Sequence, residues 1–158
     1  MKQRLALALA TCFGIGDLPK APGTWASLVA LPFAWLIQSA LGMFALLAAA
    51  LIVFFVGWWA SSVYVAWIGA EDPAPVVIDE IAGQWLTLVL ADPQRWWLWL
   101  LGFAVFRLFD IVKPWPVSWA DRNVTGGLGV MLDDILAGLY GLVVLAAILL
   151  LERSDYLL

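Results

Sequence analysis

Five carboxylates, Asp79, Glu80, Asp110, Asp133 and Asp134, carry the chemistry this chain has to offer. They belong to a set of only 12 acidic residues in 158, and each sits at the end of a hydrophobic stretch. Neighbouring carboxylates cannot all stay ionised unless cations intervene, because each negative charge raises its neighbours' pKa values. Arg107, Lys113 and Arg122 supply three positive charges in the same region, and the remainder points to a divalent metal. The chain has no histidine and a single cysteine, Cys12, so the available ligands are oxygens. Oxygen ligands suit Mg²⁺, with Mn²⁺ or Ca²⁺ as alternatives, and argue against zinc or copper. The same absences exclude Ser-His-Asp triads, histidine phosphoenzymes, HExxH zinc sites and internal disulfides.

Carboxylate-held Mg²⁺ most often also binds phosphate, where it can polarise a phosphoryl oxygen and prepare a water for in-line attack. Arg107, Lys113 and Arg122 could neutralise charge developing on that group. The run Gly126-Gly127-Leu128-Gly129 could bring backbone N–H groups to an anion, although a flexible connector is the plainer reading. The loop Gly14–Thr24 holds Lys20 and Thr24, which reach the same side if the segment after them crosses the membrane. Plain structural readings exist for the carboxylates too. Asp79 and Asp133 suit helix N-caps, Glu80 and Asp134 suit the positive end of a helix dipole, and Asp110 lies three residues from both Arg107 and Lys113.

The elements that must hold these groups lie in a membrane. Hydrophobic residues make up 65% of the chain, with 11 tryptophans and only 13% charged residues, against roughly 45–50% apolar for a soluble domain. A soluble fold of this length could not bury so much apolar surface. The expectation is one membrane-embedded domain, residues 1–158, and an all-α, small polytopic helical bundle with about five hydrophobic segments, some short or re-entrant. Uncharged mid-segments favour helices over a barrel, whose strands would alternate.

No charge occurs from Ala21 to Ala70. As one helix that stretch would extend roughly 75 Å, so it must fold back, with Gln38-Ser39 and Gly42 as the natural break. That yields segment A (25–37, containing Pro32, short enough for a half-crossing) and segment B (41–67). After Glu71-Asp72-Pro73-Ala74-Pro75 come segment C (78–91), segment D (96–112), a Gly- and Pro-rich loop from Lys113 to Met131, and segment E (133–151), followed by a polar tail. The N-terminal run Leu5–Phe13 mimics a signal peptide, but it is short and Thr11 is a poor residue before Cys12, so a retained interfacial segment is expected.

If all five segments cross, six basic residues (Lys2, Arg4, Lys20, Arg107, Lys113 and Arg122) share the carboxylate side, against Arg95 and Arg153 opposite. Positive charge marks the cytoplasmic face. A re-entrant segment A changes the count to three against five. Under either parity the five carboxylates share one side. Trp58, Trp59, Trp67, Trp115 and Trp119 could belt one interface, and Trp96, Trp97 and Trp99 the other.

The stretch FAVFRLFDIVKPWPVSWADRNVTGGLGVMLDDILAG (103–138) closely resembles phosphatidylglycerophosphatase A of bacterial membranes, as do GIGDLPKAPGTWASL (14–28) and DEIAGQWLTL (79–88). The blocks occur in the family's order, and FRxxDxxKPWP and GGxGxMxDDxxAG are specific. The resemblance implies an all-helical, Mg²⁺-dependent phosphatase that converts phosphatidylglycerophosphate to phosphatidylglycerol and inorganic phosphate. It implies a multi-pass protein of the bacterial inner membrane with its site facing the cytoplasm. The family's acidic positions fall on Asp79, Glu80, Asp110, Asp133 and Asp134, and its basic ones on Arg107, Lys113 and Arg122. Ala26 stands where the family pattern has glycine, and Thr125 where some members carry histidine; neither change removes a carboxylate.

The working assignment gives the metal to Asp79, Glu80, Asp133 and Asp134, with Asp110 as a further ligand or the base. Asp110, Asp134, Arg107 and Lys113 are the candidate catalytic residues. Arg107, Lys113, Arg122, Lys20, Thr24, Gly126 and Gly127 are candidates for holding substrate phosphate. Partners are the lipid substrate and the bilayer, with no nucleic acid, and oligomerisation is left open. Two alternatives compete: a Mg²⁺-dependent phospholipid headgroup transferase, whose DGxxAR signature is absent, and a cation channel or transporter with a carboxylate ring.

Overall fold

The computed structural model describes residues 1–70 and 73–155. Glu71 and Asp72, and the last three residues of the expected polar tail, lie outside the described residues. Regular structure among the described residues is helical: α1 (Lys2–Ala10), α2 (Pro22–Leu41), α3 (Met43–Ile68), α4 (Ile78–Thr87), α5 (Trp96–Val112), α6 (Val117–Asn123) and α7 (Gly126–Asp155). Short 3-10 turns cover Ile15–Asp17 and Leu88–Leu90. Three helices, α2, α3 and α7, are long and apolar enough to cross a membrane. α5, with 17 residues, and α4, with 10, are shorter, so five segments reduce to three of spanning length.

Segment A is longer than its sequence suggested. α2 runs 20 residues, through Pro32 and through the polar Gln38-Ser39 pair that looked like a break. Both polar side chains donate hydrogen bonds within the fold. The Gln38 amide donates to the carbonyls of Val89 and Ala91 (3.1 and 2.7 Å), and the Ser39 hydroxyl donates to Trp35 O (2.5 Å). The chain turns only at Gly42, whose φ of +84° suits glycine, and α3 begins at the next residue.

α7 starts at Gly126, two turns before the expected Asp133. Glycines at its head are poor helix formers, but packing requires them there. A Cβ on Gly127 would lie 2.2 Å from the backbone nitrogen of Ser62, and one on Gly129 would lie 1.9 Å from Val124 O. Asp133 and Asp134 are therefore inside a helix and cap nothing. Asp79 is not an N-cap either: Val77 holds that position, and Asp79 and Glu80 form the first turn of α4.

α4 packs against α2, α3, α5 and α7 and is the centre of the bundle. Its crossing with α7 is a backbone contact. A Cβ on Gly83 would sit 2.5 Å from Asp134 O, and one on Gly138 would sit 2.6 Å from Gly83 O. The Thr87 hydroxyl lies within donating reach of Gly83 O (3.1 Å) and Gly138 O (3.2 Å).

The bundle has two distinct ends. One gathers the starts of α2, α4 and α7 with the end of α5. The other joins α2 to the 91–95 turn through the Trp35 indole and Pro93 O (3.0 Å), and α7 to it through Arg95 and Glu152 (2.5 Å). Trp58, Trp59, Trp67, Trp115 and Trp119 are exposed, as a membrane belt requires. Trp99 departs from the expected belt: it is buried, with its indole N–H donating to Asp92 O (3.0 Å). α1, expected at the interface, packs along α3 with Ala6 and Ala10 fully buried.

Candidate active site

The tight α4–α7 crossing determines which carboxylates meet. With Gly83 against the Asp134 carbonyl, the first turn of α4 lies opposite the third turn of α7. Asp79, Glu80 and Asp134 each bring one carboxylate oxygen into a group whose members all lie within 4.8 Å of one another. The Asp79 and Glu80 carboxylates are within hydrogen-bonding reach of each other, and so are those of Asp134 and Asp110. Two ionised carboxylates cannot make such a contact without a shared proton or a cation. Among the described residues, Asp79 Oδ1, Glu80 Oε2 and Asp134 Oδ2 are buried and accept no hydrogen bond. Buried polar atoms normally find partners, so this donor set of hard, unsatisfied oxygens fits a divalent cation such as Mg²⁺.

Arg107, near the end of α5, closes one side. Its Nη1 lies 2.6 Å from Asp110 Oδ2 and 3.8 Å from Glu80 Oε1. The start of α2 closes another: a Cβ on Gly23 would fall 1.7 Å from Glu80 Oε1 and 3.3 Å from Arg107 Nη1. A side chain at position 23 would therefore displace the Glu80 carboxylate from where it now lies. Similarly, Gly16 lets the preceding loop press on Pro75, where a Cβ would lie 1.8 Å from the carbonyl oxygen. The 14–24 loop is thus tied to the head of α4 at two points.

A second polar group adjoins the first. Lys113, in left-handed conformation at the end of α5, forms ion pairs with Asp121 of α6 and with Asp133 Oδ2 (2.7 Å). Burial by itself would lower the Lys113 pKa, but the two carboxylates outweigh it and push the ammonium well above its ordinary value. Beside this pair is a polar cleft of about 430 Å³, lined by Asp121, Arg122, Thr125 and Asp133 together with Val124, Gly129 and Val130.

All five expected carboxylates therefore lie at one end of the bundle, together with Arg107 and Lys113. The remaining candidates are more dispersed. Lys20 is exposed, Thr24 is half-buried in the first turn of α2, and Arg122 is exposed on α6. Gly127 is turned toward α3, and neither Gly126 nor Gly127 lines the polar cleft. Sequence reasoning missed three participants. Asp121 pairs with Lys113 only because the Pro114–Pro116 turn folds α6 against α7, beside the end of α5. Gly23 reads as an ordinary turn glycine. Gln84 was legible: it lies four residues after Glu80, hence on the same helix face. It is fully buried, with neither amide atom hydrogen-bonded among the described residues.

A family model described as "Phosphatidylglycerophosphatase A" matches residues 8–149. Proteins of that name from Escherichia coli and Haemophilus influenzae are similar to this chain. The first is 40% identical over 131 residues (82% of this chain, 75% of the relative), and the second 38% over 141 residues (89% and 86%). A Bacteroides thetaiotaomicron protein named "Putative phosphatidylinositol-3-phosphatase" is 43% identical over 149 residues (90% and 92%). No solved structure matches the chain. The matched span takes in all five carboxylates together with Arg107 and Lys113, and the chain belongs to the phosphatidylglycerophosphatase A family.

Proposed function

We propose that this protein hydrolyses the terminal phosphate monoester of phosphatidylglycerophosphate, releasing phosphatidylglycerol and inorganic phosphate, with Mg²⁺ held by Asp79, Glu80 and Asp134. The observation that carries this reading is the cluster of three carboxylates, each with a buried oxygen that accepts no hydrogen bond among the described residues, inside the span that matches the family. When bound, the cation supplies positive charge to the phosphoryl oxygens and lowers the pKa of an adjacent water.

The chain's own groups do the rest. Asp110, held by Arg107 and facing Asp134, takes the proton of the attacking water or joins the ligand set. Arg107 is already between two carboxylates, and its planar fork suits two non-bridging phosphate oxygens. Lys113 holds Asp133 against the ligand group and keeps that second carboxylate compensated. Lys20 and Arg122, exposed at the same end, draw the anionic headgroup toward the site. Thr24 lies one residue beyond Gly23, within the helix turn that abuts Glu80.

The protein resides, in this reading, in a bacterial inner membrane with the site facing the cytoplasm. Lys20, Arg107, Lys113 and Arg122 are at the carboxylate end, while Arg95 and Arg153 are at the other, which supports that orientation.

Phosphate release from phosphatidylglycerophosphate in mixed detergent micelles, with Mg²⁺ and with EDTA, tests the assignment. Wild-type protein is expected to turn over only with Mg²⁺, and Asp134→Asn to lose at least about 10²–10³-fold in kcat while keeping its helical circular dichroism. Undiminished turnover by Asp134→Asn would remove Asp134 from the site. A second headgroup is favoured by the Bacteroides relative, whose name specifies a phosphoinositide. Competition between the two lipids in one assay decides which this chain prefers.

A further inference from the structure

Gln84, on α4, is fully buried, and neither its amide nitrogen nor its amide oxygen has a hydrogen-bond partner among the described residues. Buried amides normally find partners. We infer that Gln84 is a positioning residue for the cation site: its amide bridges the Glu80 carboxylate and Arg107 Nε, and so holds Glu80 as a ligand, an assignment that rests on the function proposed above.

The faces of α4 place this side chain. Gly83 and Thr87 face α7, where both meet Gly138. Ile78, Ile81 and Trp85 line an apolar groove on the opposite side. Glu80 and Gln84 lie between these two faces, separated by roughly 40° around the helix axis and about 6 Å along it. Glu80 shows what this part of α4 meets. A Cβ on Gly23 of α2 would lie 1.7 Å from Glu80 Oε1, and Arg107 Nη1 of α5 lies 3.8 Å from the same oxygen. α5 continues alongside: a Cβ on Gly83 would lie 2.6 Å from the Phe106 ring, and Phe106 precedes Arg107. Gln84 is therefore one turn below Glu80, on the side of the bundle where α2 and α5 approach α4.

The atoms left without partners there are complementary in kind. Glu80 Oε2 is an acceptor and Arg107 Nε a donor, and both are buried without a hydrogen bond among the described residues. A glutamine amide offers the matching pair, donors on its nitrogen and an acceptor oxygen. Nε2 donates to a lone pair of Glu80 Oε2 that the cation leaves free, and Oε1 accepts from Arg107 Nε, each bond direct or carried by one buried water. The Ser27 hydroxyl, one turn along α2 from Gly23, already donates to Gly23 O (2.9 Å). Gln38 is the contrast. It is also buried, but its amide nitrogen serves the carbonyls of Val89 and Ala91, far from the carboxylates. A ligand carboxylate keeps its orientation toward a metal through the hydrogen bonds made to it from outside, and Gln84 is placed to make one.

The test compares Gln84→Met with Gln38→Met, both close in length and volume to glutamine, by thermal unfolding in detergent across a Mg²⁺ titration. Gln84→Met removes no hydrogen bond seen in the metal-free bundle, so its melting temperature in EDTA is expected to equal or exceed that of the wild type. Its curve of melting-temperature rise against Mg²⁺ concentration is expected to move about 10–100-fold to higher concentration. Gln38→Met is expected to do the reverse, with a lower melting temperature in EDTA and an unmoved curve. A Gln84→Met curve that stays with the wild type would overturn the assignment. In parallel, the Mg²⁺ needed for half-maximal phosphate release is expected to rise in Gln84→Met, with kcat recovered at saturating Mg²⁺. A second measurement leaves position 84 intact. In Gln38→Met protein labelled with ¹⁵N-glutamine, Gln84 is the remaining buried glutamine, because Gln3 and Gln94 are exposed. Its solvent-protected side-chain amide signal is expected to shift when Mg²⁺ is added, and a signal that stays in place counts against the proposal. Wild-type protein whose melting temperature ignores Mg²⁺ would overturn the cation reading itself. That result is distinct from a wild-type rise that Gln84→Met leaves unchanged, which removes Gln84 alone.

Discussion

At the residue scale, charge compensation decides what each ionisable group can do. Lys113 is locked between Asp121 and Asp133, and its pKa is raised above the ordinary value of 10.5. A raised lysine pKa contributes stability that is complete below the unfolded value and is lost only as pH rises through the folded one. Lys113→Met is therefore expected to lower the melting temperature by the same amount at pH 6.5 and pH 9. Thermal unfolding in detergent at the two pH values checks this, and a penalty that halves by pH 9 would show that the pair is weaker than its geometry implies. Cys12 shows the opposite environment, apolar and without a cation. With its pKa raised from 9.0 to about 12, the reactive thiolate is scarce. Alkylation by N-ethylmaleimide at pH 8 is expected to be about 10³-fold slower than for an exposed cysteine, and denaturation should restore the ordinary rate.

At the element scale, the α4–α7 crossing transmits backbone geometry to the carboxylates. Gly83 and Gly138 meet backbone against backbone, so neither helix has a flexible side chain that could yield. Gly138→Val must separate the helices, which costs about 3 kcal/mol or more in a packed interior. It moves Asp134 away from Asp79 and Glu80 in the same step. The expected outcome is a lowered melting temperature together with lost phosphatase activity, measured by differential scanning fluorimetry and phosphate release. Gly42 provides the contrast. Its positive φ makes alanine strained, but nothing lies within 4 Å of the added Cβ and the site is at the far end of α2. Gly42→Ala is expected to cost about 1–3 kcal/mol and to keep the activity of the folded fraction.

At the scale of the whole molecule, the site is assembled from four helices that meet only in the folded bundle: the start of α2, the first turn of α4, the end of α5 and the third turn of α7. A cation shared by α4 and α7 would bind the folded state alone and stabilise it by mass action, about 2.7 kcal/mol at one hundred times its dissociation constant. Millimolar Mg²⁺ is expected to raise the melting temperature of the wild-type protein, EDTA to reverse the rise, and Asp134→Asn to abolish it. An equal rise in the variant would place the stabilising ion elsewhere.

Much of this was legible in the residues themselves. Composition specified a membrane helical protein, because 65% apolar residues cannot be kept from water in 158 positions. Segment D matched α5 to the residue: Arg95 and Lys113 bound a run that is apolar but for Arg107 and Asp110, three residues apart near its end. The five carboxylates were separable from the rest because so few charges occur beside them. Tertiary structure decided what local patterns could not. It extended α2 through Gln38, because Val89 and Ala91 carbonyls wait for the amide, and it began α7 at glycines that propensity disfavours, because Ser62 and Val124 leave no room for a side chain. It also sorted the carboxylates into Asp79, Glu80 and Asp134 in one group and Asp133 with Lys113 in another. That sorting depends on the rotation and spacing of α4 against α7. Both are determined by long-range contacts at Gly83 and Gly138, which a one-dimensional periodicity does not encode.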